Sequence, residues 1–366
     1  MRRPVEAGRP VVVKIGSSSL TEGGGRIDGD AVERVVAQIA ELRGLGHLAA
    51  LVSSGAVAAG LPALGVETRP KDVPGLQAAA AVGQGRLIER YARAFDRHDL
   101  VVGQVLLTRD VLASREPHLH ARAALDRLLD LGVVPIVNEN DTVVVDELRF
   151  GDNDRLAAIV SHLVGAGLLV ILTDTPGLYA HDPRLVAEPE LLSAVRHSDE
   201  ALDRLRGENG AGAFGSGGVA TKVAAARMAA YSGIPTVVTA AGDPDAVRSA
   251  VAGEDVGTWV EPRPDALGAR KLWIAFSLPA LGTLTVDEGA VAALIDGGRS
   301  LLAAGICAVD GEFARGDAVE VIDRTGRLVG KGLAGLTAKT LRGVLGEHTS
   351  VAGGAAIHRD DLILLT

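Results

Sequence analysis

Short continuous apolar runs alternate with longer segments in which apolar side chains recur every three or four positions. The short runs predict buried strands, and the longer periodic segments predict amphipathic helices. The predicted strands cover 11–15, 48–53, 100–107, 133–137, 168–173 and 235–239. The predicted helices cover 30–44, 76–97, 109–130, 154–165 and 219–232. Because this alternation is typical of parallel sheets, we predict an open, mostly parallel, doubly wound α/β sheet.

The pattern changes after Trp259. Residues 261–271 are polar and include two prolines, which predicts a linker. Beyond them, short β-like runs separated by Gly and Asp turns predict a small C-terminal β-barrel with one helix at about 288–297. The runs are LWIAF, GTLTV, ICAVD, AVEVID, LVGKGL and LILL. We therefore predict a first domain over 1–267 and a second over 268–366.

Composition narrows the class of protein. The chain has 366 residues, 47% hydrophobic and only 3% aromatic, so its core must consist mainly of aliphatic side chains. The net charge of −9 argues against non-specific binding to nucleic acid or to an anionic membrane, and no apolar run is long enough to span a membrane. The single cysteine, Cys307, lies in an apolar run and is predicted to be a small core residue. With no possible intrachain disulfide, we predict a reducing, cytoplasmic location.

Two lysines stand beside Gly-rich segments. Lys14 ends the first predicted strand and is followed by a predicted Gly/Ser loop at 16–19. A lysine in a buried strand is costly unless it reaches water, a counter-ion or a ligand, so a phosphate-binding role and an ordinary edge position both remain open. The segment 215–222 is Gly-rich, opens a predicted helix and contains Lys222. Backbone N–H groups at a helix start favour phosphate, although the spacing is not that of a Walker A loop.

Polar residues cluster where predicted strands end. Asn138 to Asp141 follow the strand at 133–137, while Asp152 and Asn153 precede the helix at 154–165 as candidate N-caps. Ser54-Gly55 and Thr173-Asp174 end two further strands. Each alone is compatible with a turn or cap. Because parallel strands present their carboxyl ends at one edge, the set predicts phosphoryl transfer from a nucleotide to a small charged acceptor such as an amino acid.

These motifs together resemble the amino acid kinase family, in particular its glutamate-phosphorylating members. The matching segments, in order, are VVVKIGSSSL, LVSSGAVAAG, NEND, GDND, LTDTPGLYAHDPR and GSGGVATK. Toward the C-terminus, TVDEGA and HRDD resemble the PUA domain appended to those members. The resemblance covers nearly the whole chain and implies an amino acid kinase fold followed by a PUA-like barrel.

The resemblance also implies an activity. The glutamate-phosphorylating members of the family transfer phosphate from ATP to the side-chain carboxylate of L-glutamate. This transfer gives γ-glutamyl phosphate in the first step of proline biosynthesis. It further implies Mg²⁺ as cofactor, feedback inhibition by proline, a homodimer or homotetramer, and transient contact with glutamate-5-semialdehyde dehydrogenase. Apart from the resemblance, the net charge and the lack of a long apolar run predict no membrane partner and argue against a nucleic-acid partner.

The resemblance assigns roles to individual residues. Lys14 and Lys222 would hold the ATP phosphates and stabilise the transferred group, and Asp154 would orient both lysines. Glutamate would be bound by Ser54, Gly55, Asn138, Asp141, Asp152 and Asn153. ATP would be bound by Lys14, Gly16, Ser17, Thr173, Asp174, Ser216, Gly217, Gly218, Val219, Ala220, Thr221 and Lys222. Ser216 and Ala220 stand where the family often has Thr and Ser, so a hydroxyl is lost at 220. The metal ligands stay unassigned, and 143–150 is expected to form a flap near the glutamate site.

Two alternatives remain open. The first is another family member that acts on acetylglutamate, aspartate or carbamate; the GDND segment and the C-terminal domain argue against it. The second is an RNA-binding protein, because PUA domains commonly bind RNA. From Arg270 onward the chain has ten Lys/Arg and eleven Asp/Glu, a charge of 10 − 11 = −1. A domain so close to neutral lacks the electrostatic footprint of a strong RNA binder.

Overall fold

The chain forms two compact units, Met1–Ala266 and Leu267–Thr366. The computed structural model describes residues 2–22, 26–108, 115–143, 153–181, 183–184, 186, 188–199, 201–202, 205, 218–345 and 353–365. The domain boundary that we predict, between 267 and 268, lies one residue beyond this division. Each unit has its own sheet and its own apolar core.

One eight-stranded sheet organises the first unit. Its strands are β1 (Pro10–Ile15), β2 (Leu48–Ser53), β3 (Val102–Leu107), β4 (Val134–Glu139), β5 (Leu168–Thr173), β6 (Ala194–Arg196), β7 (Thr236–Ala240) and β8 (Thr258–Glu261). Their order is β3-β4-β2-β1-β5-β7-β8-β6, and neighbours are parallel except for β7 and β8. The predicted mostly parallel, doubly wound sheet is therefore confirmed.

The strand order creates a switch point between β1 and β5. From β1 the chain continues to β2 on one side of it, and β5 later pairs with β1 on the other side. Open α/β sheets bind ligands in the crevice outside the carboxyl ends of strands at such a point. Lys14, the fifth residue of β1, is placed beside this crevice by its position in the strand.

Helices flank the sheet of the first unit. They are α1 (Ser17–Leu20), α2 (Gly29–Gly44), α3 (Ala56–Gly60), α4 (Val73–Asp96), α5 (Arg115–Asp130), α6 (Asn153–Leu163), α7 (Val219–Tyr231) and α8 (Ala246–Ala252). The apolar stripe predicted for α2 is buried throughout, namely Val32, Val35, Val36, Ile39 and Leu42. None of the described helices combines the length and apolar character needed to cross a membrane. The predicted Gly/Ser loop at 16–19 is wrong in part, because Ser17 begins a single helical turn.

Helices α3 and α4 cross at two glycines. A Cβ built on Gly83 would lie 1.8 Å from the carbonyl oxygen of Ala56, and one built on Gly60 would lie 1.9 Å from that of Ala79. Real Cβ contacts are never this short, so only glycine permits this separation of the two backbones. The crossing fixes α4 relative to the loop that ends β2, because α3 begins directly after Gly55.

A pair of partly buried histidines joins α5 to α6. The rings of His118 and His162 lie 6.2 Å apart, and the Nδ1 atom of His118 is buried without a hydrogen-bond partner among the described residues. Burial, followed by the charges of His118 and Arg122, lowers the pKa of His162 to about 4. Burial and then Arg122 also lower the pKa of His118. The folded state therefore favours the neutral form of both rings.

This pair predicts a loss of stability in acid. Because the pKa of His162 is depressed by folding from 6.5 to about 4, its contribution is present above pH 6.5 and is lost as the pH falls toward 4. The full shift corresponds to about 3 kcal/mol at most. We expect His162→Gln to reduce the difference in unfolding free energy between pH 7 and pH 4.5, measured by urea denaturation. An unchanged difference would show that His162 does not contribute to the acid sensitivity.

The second unit is a small β domain. Its strands are β9 (Gly282–Val286), β10 (Ile306–Gly311), β11 (Ala318–Asp323), β12 (Leu328–Ala334) and β13 (Ile357–Leu364), in the order β10-β9-β11-β12-β13. Its helices are α9 (Ala269–Leu272), α10 (Glu288–Ile295) and α11 (Ala338–Gly343). The core contains inward-facing residues of this sheet, including Leu284, Val319, Val321 and Val329. The runs GTLTV, ICAVD, AVEVID, LVGKGL and LILL are thus confirmed as strand-forming.

Two expectations for this unit are wrong. The run LWIAF is helical, since α9 continues into a π-helical turn over Trp273–Ser277. An apolar run of five residues cannot distinguish a strand from a buried helix by its periodicity, and here Ile274 and Ala275 pack against Ile363. Cys307 is exposed rather than buried, because alternate side chains of a strand face opposite sides and Ile306 faces the core.

Candidate active site

An ion-pair cluster of two lysines and one aspartate lies at the carboxyl ends of the central strands. The Nζ atom of Lys14 is 2.5 Å from Asp154 Oδ1, and the Nζ atom of Lys222 is 3.8 Å from Asp154 Oδ2. Lys14 is 1% exposed and Asp154 is 0% exposed, whereas the Lys222 side chain is 12% exposed. The carboxylate compensates the buried lysine, and the cluster presents a net positive charge at the crevice.

The two lysines reach Asp154 from opposite sides of the switch point. Lys14 comes from β1, while Lys222 lies in the first turn of α7. Asp154 is the second residue of α6, in the first turn of a helix, where the helix dipole stabilises a carboxylate. Three segments far apart in the sequence therefore meet at one carboxylate.

The start of α7 adds polar groups to the cluster. Gly218 caps this helix, and no described side chain accepts from its first N–H groups, although the N–H of Thr221 lies 3.2 Å from the carbonyl oxygen of Gly218. The hydroxyl of Thr221 lies 3.0 Å from Asp154 Oδ2 and 2.8 Å from the carbonyl oxygen of Gly218. The N-terminus of a helix is a favourable position for phosphate, and Val219 and Ala220 are the first two residues of this helix.

Gly16 allows the chain to pass close to Lys14. A Cβ at Gly16 would lie 3.3 Å from Lys14 Nζ, tighter than nearly all real Cβ contacts. Gly16 has extended backbone angles and precedes α1, in which Ser17 is the first residue. Because glycine has no Cβ, the backbone at Gly16 can lie close to the buried ammonium group of Lys14 without displacing it.

Thr173 is the last residue of β5, which pairs with β1 on the side opposite to β2, and Asp174 follows it. Thr173 is buried and its hydroxyl donates to Asp174 Oδ1 over 2.9 Å, whereas Asp174 is exposed. The carbonyl of Thr173 accepts from the N–H of Ala241, which ties the end of β5 to the end of β7. Both residues follow Leu172, whose strand partner is Ile15, so they lie at the same edge as Gly16.

A second cluster, of amides and a hydroxyl, adjoins the ion pairs through the neighbouring residues Asn153 and Asp154. The Nδ2 atom of Asn153 is 2.8 Å from Asn138 Oδ1, 3.0 Å from Ser54 Oγ and 3.0 Å from the carbonyl oxygen of Ser53. Gly55 follows with φ of 104°, a conformation that favours glycine, and it caps α3. Ser54, Asn138 and Asn153 are thus brought together from β2, β4 and α6.

Asp141 stands apart from this hydrogen-bond network. It lies in the turn after β4 and is partly buried. Burial raises the pKa of the Asp141 carboxyl, and the positive charge of Arg69 opposes that rise. A cationic group of a ligand, in addition to Arg69, would therefore stabilise the charged form of the Asp141 carboxylate.

Several predicted residues lie outside the described ones. These are Asp152, Ser216 and Gly217, together with all of the expected flap except Val143. Among the residues that the structure describes, no group of three or more His, Cys, Asp or Glu could hold a metal ion. Asp154 faces the lysines, so the described side chains offer no closed cation site.

Three residues that support the amide cluster were not predicted from the sequence: Ser53, Gln84 and Tyr91. Gln84 accepts a hydrogen bond from Asn138 Nδ2 over 2.8 Å. Tyr91 lies fully buried with its hydroxyl 2.8 Å from Ser53 Oγ, and burial raises the pKa of this phenol. Gln84 and Tyr91 are seven residues apart on one face of α4, a spacing visible in the sequence, but nothing there indicated which face meets the site.

Comparison with known proteins gives matches over the whole chain. Residues 9–240 match the model of the Amino acid kinase family, and residues 282–351 match that of the PUA domain. Glutamate 5-kinase of Streptomyces coelicolor is 46% identical over 372 residues, covering 100% of this chain and 98% of that protein. Glutamate 5-kinase of Stutzerimonas stutzeri is 47% identical over 373 residues, covering 100% of both.

Solved structures resemble the first unit at low sequence identity. Carbamate kinase from Giardia lamblia, bound to AMP-PNP, matches with a TM-score of 0.54 and 17% identity, covering 70% of this chain and 99% of that one. UMP kinase from Bacillus anthracis matches with a TM-score of 0.50 and 14% identity, covering 70% and 97%. These likenesses concern the fold alone.

Proposed function

The chain belongs to the amino acid kinase family, and on that premise we propose that it transfers the γ-phosphoryl group of ATP to the side-chain carboxylate of L-glutamate. The observation that carries the proposal is the position of Asp154, which contacts two lysines and directly follows Asn153 of the amide cluster. In this proposal a phosphate site and an amino-acid site would be adjacent. The relatives named glutamate 5-kinase support the choice of acceptor.

The chemistry requires no general base. A glutamate side-chain carboxylate has a pKa of about 4.3, so it is already an anionic nucleophile near neutral pH. The difficulty is to bring two anions together and to neutralise the charge that moves onto the leaving phosphate oxygen. Lys14 and Lys222 supply positive charge, and Asp154 holds their ammonium groups in place.

The acceptor would lie against the amide cluster. Ser54, Asn138 and Asn153 present a hydroxyl and amides to it, with Gly55 and Asp152 as neighbours. An amino acid also carries an ammonium group, which suits the partly buried Asp141 carboxylate. These are the same six glutamate-binding residues that the resemblance implies.

The nucleotide would enter from the α1 and α7 side. Gly16 and Ser17 begin α1, and Gly218 to Lys222 open α7, so backbone N–H groups of both helices would face the phosphates. Thr173 and Asp174 complete this side, and Ser216 and Gly217 remain predicted contacts. Mg²⁺ would enter with ATP as part of the MgATP substrate, held largely by the phosphates.

We infer further that the product is γ-glutamyl phosphate and that the reaction opens proline biosynthesis in the cytoplasm. An acyl phosphate hydrolyses readily, which favours transient contact with glutamate-5-semialdehyde dehydrogenase. Proline would act as feedback inhibitor, and the chain would assemble as a homodimer or homotetramer. The family resemblance and the similarity to glutamate 5-kinases support these proposals.

The proposed function is tested by ADP release with a set of acids. We expect release with ATP, Mg²⁺ and L-glutamate, trapping of the product by hydroxylamine as a hydroxamate, and reduced release when proline is added. N-Acetylglutamate, aspartate and carbamate serve as competing acceptors. Release with N-acetylglutamate but not with glutamate would assign the chain to another member of the family.

A further inference from the structure

A chain of amide hydrogen bonds extends from the phosphate cluster to α4. Asn153, next to Asp154, donates from Nδ2 to Asn138 Oδ1 over 2.8 Å. Asn138 in turn donates from Nδ2 to Gln84 Oε1 over 2.8 Å. Gln84 is therefore the end of this chain that lies farthest from Asp154 along the bonds.

Two backbone groups fix the orientation of every amide in the chain. The N–H of Glu139 can only donate, and it lies 2.8 Å from Asn138 Oδ1, so Asn138 must present Nδ2 to Gln84. The carbonyl of Ser53 can only accept, so Asn153 must present Nδ2 to it. Gln84 consequently accepts through Oε1, and none of the three amides is free to flip.

This orientation decides which groups the two ends of the amide chain can offer to a ligand. The two protons of Asn153 Nδ2 serve three protein acceptors, so Asn153 offers only its oxygen. Gln84 Oε1 is occupied by Asn138, while Nε2 donates to no described protein group. Nε2 lies about 2.2 Å from Oε1 by amide geometry. The amide chain thus has an acceptor at the end near Asp154, Asn153 Oδ1, and an N–H donor at its far end, Gln84 Nε2.

Helix α4 holds this donor in place at two points. Gly83, adjacent to Gln84, is locked against Ala56 of α3 by the glycine crossing. Two turns further on, the Tyr91 hydroxyl binds Ser53 Oγ, and Ser53 directly precedes Ser54. Gln84 is therefore carried by a helix that is anchored to the same loop as the amide cluster, which makes its Nε2 a preorganised donor.

Resting on the proposed function, we propose that Gln84 is a substrate-binding residue whose Nε2 donates to the α-carboxylate of the acceptor amino acid. The side-chain carboxylate of the acceptor must face the lysines, so its α-carbon end points away from Asp154. A carboxylate accepts hydrogen bonds and an ammonium group donates them. The donor at Gln84 suits the α-carboxylate, while the Asp141 carboxylate and the Asn153 oxygen are acceptors suited to the ammonium group.

Two substitutions separate binding from positioning. Gln84→Glu keeps an oxygen that accepts from Asn138 but loses the donor and adds a charge that repels a carboxylate. Gln84→Met loses both groups. If Gln84 contacts the substrate, Gln84→Glu raises the KM for glutamate about 10–100-fold. This increase is at least as large as the increase caused by Gln84→Met. The KM for ATP stays within about twofold of the parent value in both variants. If Gln84 only supports Asn138, Gln84→Glu behaves like the parent and Gln84→Met is impaired, which overturns the proposal.

A substrate analogue provides the reciprocal test. The α-amide of glutamate keeps a free side-chain carboxylate, and its amide N–H can donate to the new carboxylate of the Gln84→Glu variant. We expect the ratio of kcat/KM for the α-amide to that for glutamate to rise at least tenfold in this variant. An unchanged ratio overturns the assignment to the α-carboxylate.

Controls distinguish this proposal from the function on which it rests. Arg86→Met, an exposed change on the same helix, should leave both KM values near those of the parent. A parent protein with no glutamate-dependent ADP release would overturn the proposed function and this inference together. Normal glutamate turnover by the parent, with an unchanged KM in Gln84→Glu, overturns the inference alone.

Discussion

Replacing Lys222 with alanine is expected to lower kcat by roughly 10²–10³-fold, the usual effect of removing one transition-state donor. Lys222 lies in the first turn of α7. From there its ammonium group can stabilise the negative charge on the phosphoryl group during its transfer. The effect should fall on kcat more than on the KM for glutamate, because the amide cluster does not include Lys222. Steady-state ADP release with both substrates varied measures the two constants separately.

The fold should survive this substitution. Lys222 is partly accessible and lies 3.8 Å from Asp154, whereas Lys14 contacts the same carboxylate at 2.5 Å and would still compensate it. The Lys222→Ala variant should therefore unfold within about 1 kcal/mol of the parent. Lys339→Ala, an exposed change in the second unit, is the matched control for charge removal. A kcat for Lys222→Ala within threefold of the control would exclude Lys222 from the chemistry.

The convergence of the site residues could be anticipated in part from the sequence. Parallel strands place their carboxyl ends at one edge, so Lys14, Ser54, Asn138 and Thr173 were expected to be neighbours once the strands were predicted. The switch point beside β1 was not visible, because strand order depends on pairings between distant segments. The role of Gln84 was also hidden, since its contact with Asn138 spans 54 residues and depends on the glycine crossing.

The fold was predictable where the apolar pattern was long and unpredictable where it was short. Helix α2 and strand β5 follow from their patterns, whereas β6, with three residues, carries no periodic signal. The helical turn of LWIAF shows the same limit, because tertiary contacts rather than sequence pattern decide the conformation of a five-residue apolar run. Local sequence thus predicted the elements that form the sheet and missed its short peripheral pieces.

Removing the Asp154 carboxylate is expected to impair both stability and activity. Asp154 and Lys14 are almost completely buried, so Asp154→Ala leaves an ammonium group in the interior without its counter-ion. Breaking a buried ion pair in this way costs about 3–5 kcal/mol. The hydroxyl of Thr221 also loses an acceptor. We expect urea denaturation to show that loss and ADP release to fall at least 100-fold, since both lysines lose their common anchor.

A double substitution separates the two effects. In Asp154→Leu with Lys14→Met, no charge remains buried at the pair, and apolar replacement of a buried ion pair is commonly neutral or stabilising by about 1–4 kcal/mol. Its unfolding free energy should therefore recover to near the parent value, while activity remains lost because Lys14 is absent. Recovery of activity along with stability would mean that the ion pair serves folding alone. Persistent instability would instead show that the site tolerates no apolar packing, and that Asp154 is required by its other partners, Thr221 and Lys222.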